Sequence, residues 1–205
     1  MQVLKDVIHK DNVDVFKQIF ELNQNLFSLS IVYYPLIFYI VSQDALEILQ
    51  FSLQVNQKLV NQLSSFRESL LHIAAEQQSF KCMHYLVNNH SSLLKLIDDD
   101  GETALMKLIQ SIDFDSSFID KIKPLQLELT VKRNRTAFQY LLERMVDEDI
   151  ELSTTFTHQY FQSVIQFFKP EWALGGVCKM LFDNGRIDLL NAVGELVKFS
   201  PEDFE

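Results

Sequence analysis

The amino-acid sequence predicts an all-α protein, a solenoid of stacked two-helix units closed by irregular C-terminal helices. Three observations carry this expectation. Four short boxes look alike: Tyr34-Pro35-Leu36-Ile37, Ser69-Leu70-Leu71-His72, Thr103-Ala104-Leu105-Met106 and Thr136-Ala137-Phe138-Gln139. Their first residues stand 35, 34 and 33 positions apart, and self-similarity at such a period marks a repeat architecture. The earlier boxes are followed by a short apolar helix, a polar break and a second helix with aliphatic residues at helical spacing, while strand-like alternation is nearly absent.

In chain order, Leu4, Val7 and Ile8 fall on a first helix and Val13, Phe16, Ile19 and Phe20 on a second, with Lys10-Asp11-Asn12 as the turn. In the next unit Leu36 to Val41 and Leu46 to Leu53 take these parts, and an extra residue at the turn is expected to account for its longer spacing. The third unit has the clearest pattern. Ser69 to Glu76 forms its first helix, Gln77-Gln78-Ser79 its turn, and Phe80 to Asn88 its second helix, with Phe80, Met83, Leu86 and Val87 on one face. The expected units are thus about 2–33, 34–68, 69–102, 103–135 and 136–145 onward.

After Ala137 to Met145 an acidic stretch, Asp147-Glu148-Asp149-Ile150-Glu151, interrupts the pattern. A helix is expected near His158 to Phe168. A last pair, Trp172 to Phe182 and Arg186 to Val197 around Asp183-Asn184-Gly185, closes the stack. Residues 146–205 are therefore expected to form irregular repeats or a cap belonging to the same domain as residues 1–145.

The boxes resemble the ankyrin repeat, whose signature is a Thr-Pro-Leu-His box, a pair of small residues, a glycine turn and an aliphatic second helix. The best copy is Ser69-Leu70-Leu71-His72-Ile73-Ala74-Ala75, and Asp98-Asp99-Asp100-Gly101-Glu102-Thr103-Ala104-Leu105 matches the finger and box that open the next one. The box proline is read only at Pro35, the histidine only at His72 and the small pair only at Ala74-Ala75. Elsewhere the pair is bulky: Val7-Ile8, Tyr39-Ile40, Leu108-Ile109 and Leu141-Leu142. Tetratricopeptide stacking also has a period of 34 residues, but its Trp/Leu/Gly/Tyr pattern is absent here.

Composition bounds the function. The 205 residues are 47% hydrophobic and 22% charged, enough to bury a core without staples. With 28 Asp+Glu against 18 Lys+Arg, the formal charge of -10 is the wrong sign for nucleic acid or an anionic membrane. Cys82 and Cys178 lie in apolar helical stretches, far apart in sequence, which suggests neither a disulfide framework nor a zinc site and points to a reducing, cytoplasmic compartment. The charged start Met1-Gln2-Val3-Leu4-Lys5-Asp6 does not resemble a secretory signal. The longest apolar run, Ile31 to Val41, contains Pro35 and is too short to span a bilayer.

Features that could carry chemistry have structural readings beside them. Asp98, Asp99 and Asp100 before Gly101 suggest calcium, yet an EF-hand register would put Leu96 at the first ligand position and Lys107 at the bidentate one. A finger turn, with Gly101 at positive φ, fits better. Cys82 and His84 are two residues apart and so on nearly opposite helix faces, a poor nucleophile and base. His72, placed as in the ankyrin family, is expected to hydrogen-bond between neighbouring boxes. Ser69, Thr103 and Thr136 stand where a hydroxyl caps a helix. Gly175-Gly176 lacks the phosphate-loop context. No catalytic residue, cofactor or metal site is assigned.

The resemblance implies a non-enzymatic recognition module or adaptor that holds a protein partner on a concave face built from fingers and first helices. In this register the finger residues are Arg67, Glu68, Glu102, Arg133 and Arg135, the last two joining Lys132, Lys121 and Lys123 in a small basic cluster. The residues of the first helices and the turns after them are Glu76, Gln77, Lys107, Gln110, Tyr140, Glu143 and Arg144. All twelve are expected to form a solvated polar rim. The aromatic concentration Phe156, Tyr160, Phe161, Phe167, Phe168 and Trp172 is a second candidate docking face, although helical spacing places most of it in the core.

The chain is expected to be a monomer on its own. Divergent repeats rich in Asn, Gln, Lys and Phe also occur in effectors of intracellular bacteria, so a host-cell protein is one candidate partner by composition alone. The alternatives are an enzyme on a helical scaffold, for which no motif speaks, and a structural assembly subunit.

Overall fold

Helix starts and turns recur at nearly constant intervals in a computed structural model that describes residues 1–31, 34–111 and 181–194, together with Val146 and Lys179. The chain divides into two compact units, Met1–Ser111 and Ile112–Glu205. In the first, α1 (Gln2–His9) and α2 (Val13–Leu22) form one helical pair, followed by a 3-10 turn at Leu26–Ser28 and the two-residue strands β1 (Ser30–Ile31) and β2 (Tyr34–Pro35). These strands pair antiparallel, with Ile31 opposite Tyr34. The next helices are α3 (Leu36–Ser42), α4 (Leu46–Val55), α5 (Leu70–Glu76), α6 (Phe80–Asn89) and α7 (Ala104–Ser111). Further 3-10 turns at Gln57–Asn61 and Ser91–Lys95 follow α4 and α6.

The first helices α3, α5 and α7 begin at Leu36, Leu70 and Ala104, at equal intervals of 34 residues. This corrects one detail of the sequence register. Tyr34 is extended and paired with Ile31, so the helix cannot start there, and Pro35 rather than Tyr34 is the residue equivalent to Ser69 and Thr103. Pro35 therefore occupies the cap position and not the proline position of the box. The turns Gln43-Asp44-Ala45 and Gln77-Gln78-Ser79 are equally long, so no extra residue sits there. The pair equivalent to Ala74-Ala75 becomes Ile40-Val41 rather than Tyr39-Ile40, because the Ala45 amide donates to Ile40 as the Ser79 amide does to Ala74.

Each turn between paired helices needs one left-handed residue, and Asp11, Asp44 and Gln78 supply it with φ of 48°, 54° and 54°. Such backbone favours glycine or a short polar side chain, and the two aspartates have a further task. Asp11 accepts from the Glu47 and Ile48 amides at 3.0 and 3.1 Å, and Asp44 accepts from the Cys82 amide at 2.9 Å. Each thereby caps the second helix of the following unit. This explains how α4 starts at Ala45, a residue with no capping side chain. It also explains why the Ser79 hydroxyl at the start of α6 makes no cap bond. In the first described pair the cap lies within the unit, Asn12 accepting from the Val15 amide at 3.2 Å.

The core lies between and within the pairs. Leu4, Val7, Ile8, Phe16, Ile40, Val41, Leu71, Met83, Leu86, Leu105, Leu108 and Ile109 are buried. Val13, Ile19, Phe20, Phe80 and Val87 are only half-buried. Cys82 is in this core and His84 is exposed, as their opposite helix faces require.

In the second unit, helical residues Leu181–Asp183 lead through a turn to α8 (Ile187–Gly194). Gly185 has φ 70°, and its amide donates to Phe182 while that of Arg186 donates to Leu181. The same pattern surrounds Asp11, Asp44 and Gln78, so the turn before α8 is that of a repeat, and it runs over Asn184-Gly185-Arg186, one residue later than expected. The fourth box at Thr136, the units drawn after 112, the boundary at 145, Cys178, Gly175-Gly176 and the segment from Phe156 to Trp172 lie outside the described residues.

Candidate binding surface on the fingers and first helices

The fingers are built by one turn repeated with two chemistries. In the first, the Ser64 amide donates to the Glu68 carbonyl, and the Ser64 hydroxyl accepts from the Phe66 and Glu68 amides at 3.2 and 3.1 Å. In the next, the Asp98 amide donates to the Glu102 carbonyl, and the Asp98 carboxylate accepts from the Asp100 and Glu102 amides, both at 2.9 Å. The left-handed position is Arg67 with φ 59° in one and Gly101 with φ 81° in the other. The aspartates before Gly101 thus serve the turn, as expected. A direct bond from the Asp99 amide to the Phe66 carbonyl, 3.0 Å, ties the two fingers together.

His72 joins finger and helix. Its Nδ1 accepts from the Ser69 amide at 3.2 Å, while the Ser69 hydroxyl accepts from the His72 amide, a reciprocal cap with histidine in the place usually taken by Glu or Gln. With Nδ1 an acceptor, Nε2 carries the proton and donates to the Glu102 carbonyl of the next finger at 3.0 Å. Burial lowers the imidazole pKa, partly offset by that carbonyl and by Asp98. The box-to-box role expected for His72 is what the geometry shows. Burial, and after it the Asp44 carboxylate, push the Cys82 thiol far up, so it remains a thiol rather than a nucleophile.

The rim residues expected from sequence separate into three groups. Arg67, Glu76, Gln77 and Gln110 are exposed, with Arg67 at 3.9 Å from Asp99 and Gln110 donating to Glu102 at 3.0 Å. Glu68, Glu102 and Lys107 are not solvated rim side chains. Glu68 is only 5% exposed, and the Lys107 ammonium lies 3.0 Å from Asp98, 3.2 Å from Glu102 and 3.9 Å from Glu68. The reason is the register. Glu68 and Glu102 stand immediately before the cap residues Ser69 and Thr103, where the finger folds back against the first helices. Arg133, Arg135, Tyr140, Glu143 and Arg144 lie outside the described residues.

This internal network shapes the titration of its members. Burial pushes the Asp98 carboxyl up, but the Glu102 amide and the Lys107 ammonium outweigh it and hold it below its ordinary value. Burial likewise lowers Lys107, and Asp98 and Glu102 more than reverse this. Glu68 is raised by burial and by Glu76, against the Ser64 hydroxyl and Lys107.

A cleft of about 230 Å³ opens between α3 and α5 beside the β1–β2 hairpin. Ile31, Phe38 and Ile73 are buried along it, Tyr34, Tyr39 and Ser42 are half-buried, and Glu76 and Gln77 are exposed at its edge. Tyr34, Tyr39 and Ser42 were not among the expected site residues. Counting back 34 positions from Glu68, Ile73 and Glu76 would have found them, once Pro35 rather than Tyr34 is aligned with Ser69.

Among the described residues, no group of three or more His, Cys, Asp or Glu side chains is placed to hold a metal ion. No helix among them is long and apolar enough to cross a membrane. A family model described as ankyrin repeats (3 copies) matches residues 37–152. No curated protein is significantly similar to the chain.

Proposed function

The chain belongs to the ankyrin-repeat family, a protein–protein interaction fold, and from that premise we propose that it is a non-enzymatic adaptor gripping a protein partner with its fingers and first helices. The observation that carries this reading is the α3–α5 cleft. It combines a buried apolar floor and half-buried aromatic walls with a polar edge, the make-up of interface hot spots. The buried free thiol Cys82 fits a reducing, cytoplasmic setting, and a monomer is the expected free state. A partner in a host cell remains part of the proposal on compositional grounds only.

Pull-down of the full chain with mass spectrometry, followed by hydrogen exchange of the reconstituted complex, tests the reading. Protection gained on the fingers, α3, α5 and α7 is the expected result. Protection confined to the outward sides of α4 and α6 would refute it.

A further inference from the structure

The cleft between α3 and α5 has an electrostatic character that the proposed concave reading leaves open, and on that reading it selects the chemistry of the partner. Glu76 stands at its edge, exposed, with no ion pair or hydrogen bond among the described residues. The Tyr34 hydroxyl is shifted upward by burial first and then by Glu68 and Glu76, with Lys107 opposing. Two carboxylates therefore act on the tyrosine wall, with the Lys107 ammonium opposing them. Of the two nearby cations, Lys107 is already held by Asp98 and Glu102. The Tyr39 ring lies 6.0 Å from the Lys5 ammonium, at the outer limit for a cation over an aromatic face.

We infer that this cleft receives a basic side chain of the partner, arginine above lysine, with its stem against Tyr34, Tyr39 and Ile73 and its cation beside Glu76. Three physical arguments select this occupant. An apolar side chain would cover Glu76 without pairing it, and an unpaired desolvated carboxylate is costly. An acidic side chain would meet Glu76 as a like charge, and the formal charge of -10 disfavours its approach. A guanidinium stacks on tyrosine and pairs with a carboxylate through its planar fork, which an ammonium cannot do. The volume of about 230 Å³ is below the roughly 300–1,000 Å³ of small-molecule sites, so it suits one inserted side chain.

The test uses a random peptide library displayed on phage and panned on the full chain, with the selected peptides synthesised and mapped by amide chemical shifts. The expected peptides carry an arginine or lysine and shift the amides of Tyr39, Ser42 and Gln77. Replacing that arginine by citrulline, which keeps its shape without the charge, and the variant Glu76→Gln should each weaken binding by about tenfold or more. The melting temperature of Glu76→Gln should stay unchanged. Peptides that occupy the cleft without a basic residue, or that are indifferent to Glu76→Gln, overturn this inference and leave the concave reading standing. Peptides that map only to the outward sides of α4 and α6 overturn both. A selection that yields no cleft-binding peptide also counts against the basic-side-chain assignment.

Discussion

Two stretches of the same surface use the same repeat positions in opposite ways. Tyr34, Glu68 and Glu102 each stand just before the cap residue of a first helix, and Tyr39, Ile73 and Lys107 are equivalent positions within those helices. Around α7 these positions hold Glu102 and Lys107, which with Asp98 and Glu68 form a largely buried ionic network. Around α3 they hold Tyr34 and Tyr39, which line an open cleft with Glu76 at its edge. The helix starts keep one register of 34 residues, and the side chains at these positions differ. One stretch spends its charges on holding neighbouring fingers and helices together, and the other leaves aromatic surface and a carboxylate available.

The largest expected difference between the stretches is in stability. Asp98→Ala removes a buried carboxylate that serves two finger amides and Lys107. It should cost about 3–5 kcal/mol in a denaturant melt, as breaking a buried pair does. Leu71→Ala, at a fully buried box position, should cost about 2–5 kcal/mol through its cavity. Losses below 1 kcal/mol for both would mean that the fingers and boxes are not the structural frame.

Cross-unit capping gives a smaller effect. Asp44→Ala leaves the Cys82 amide without its acceptor and puts alanine at φ 54°, so a loss of about 1–2 kcal/mol is expected. Asn12→Ala, which removes a cap within one unit at negative φ, should cost about 1 kcal/mol. Native-state hydrogen exchange should separate the two. Asp44→Ala should expose amides at the start of α6, and Asn12→Ala only those of α2.

The His72 contribution has a definite sign. The folded imidazole is held below the 6.5 of the unfolded chain, so the unfolded state takes up the proton first. The stabilisation is present above pH 6.5 and declines as the pH falls below it, down to the folded value. Glu68, raised in the fold, titrates with the opposite sign at lower pH. The comparison of wild type with His72→Gln isolates the histidine. The variant should lose less stability between pH 7 and pH 5.5, and equal pH slopes would show that the bond to Glu102 does not depend on a neutral ring.

At the cleft the stability effect should be smallest. Glu76→Ala should shift the melt by less than about 0.5 kcal/mol, because an exposed side chain without partners is removed. A larger loss would identify Glu76 as part of the frame and remove the contrast between the two stretches.

Much of this was legible in the sequence because the periodic apolar residues report directly on helix faces. Ser69 as a cap, the Gln77-Gln78-Ser79 turn, the finger at Gly101 and the core position of Cys82 followed from spacing and residue type, while the link through His72 followed from the resemblance to the ankyrin repeat. The register of the second unit did not. A proline in the box drew the alignment to Pro35, whereas the strand pairing of Tyr34 with Ile31 decides where α3 begins, and that pairing is a tertiary fact. The burial of Glu68 and Lys107 was hidden for a related reason. A charged residue reads as solvated unless its partners are known to converge, and here Lys107 meets Glu68 of the preceding finger as well as Asp98 and Glu102 of its own. The cross-unit caps from Asp11 and Asp44 link residues 36 to 38 positions apart, and no local pattern announces them.

The most direct test of the proposed binding face is a paired change of surface charge assayed against one captured partner. Glu76→Lys with Gln110→Lys changes exposed residues on the first helices, and Lys17→Glu with Lys81→Glu changes exposed residues on the second helices. The first pair should weaken association by about tenfold or more with the melting temperature nearly unchanged, and the second pair should leave association intact. Loss of binding with the second pair and full binding with the first would contradict recognition through the fingers and first helices.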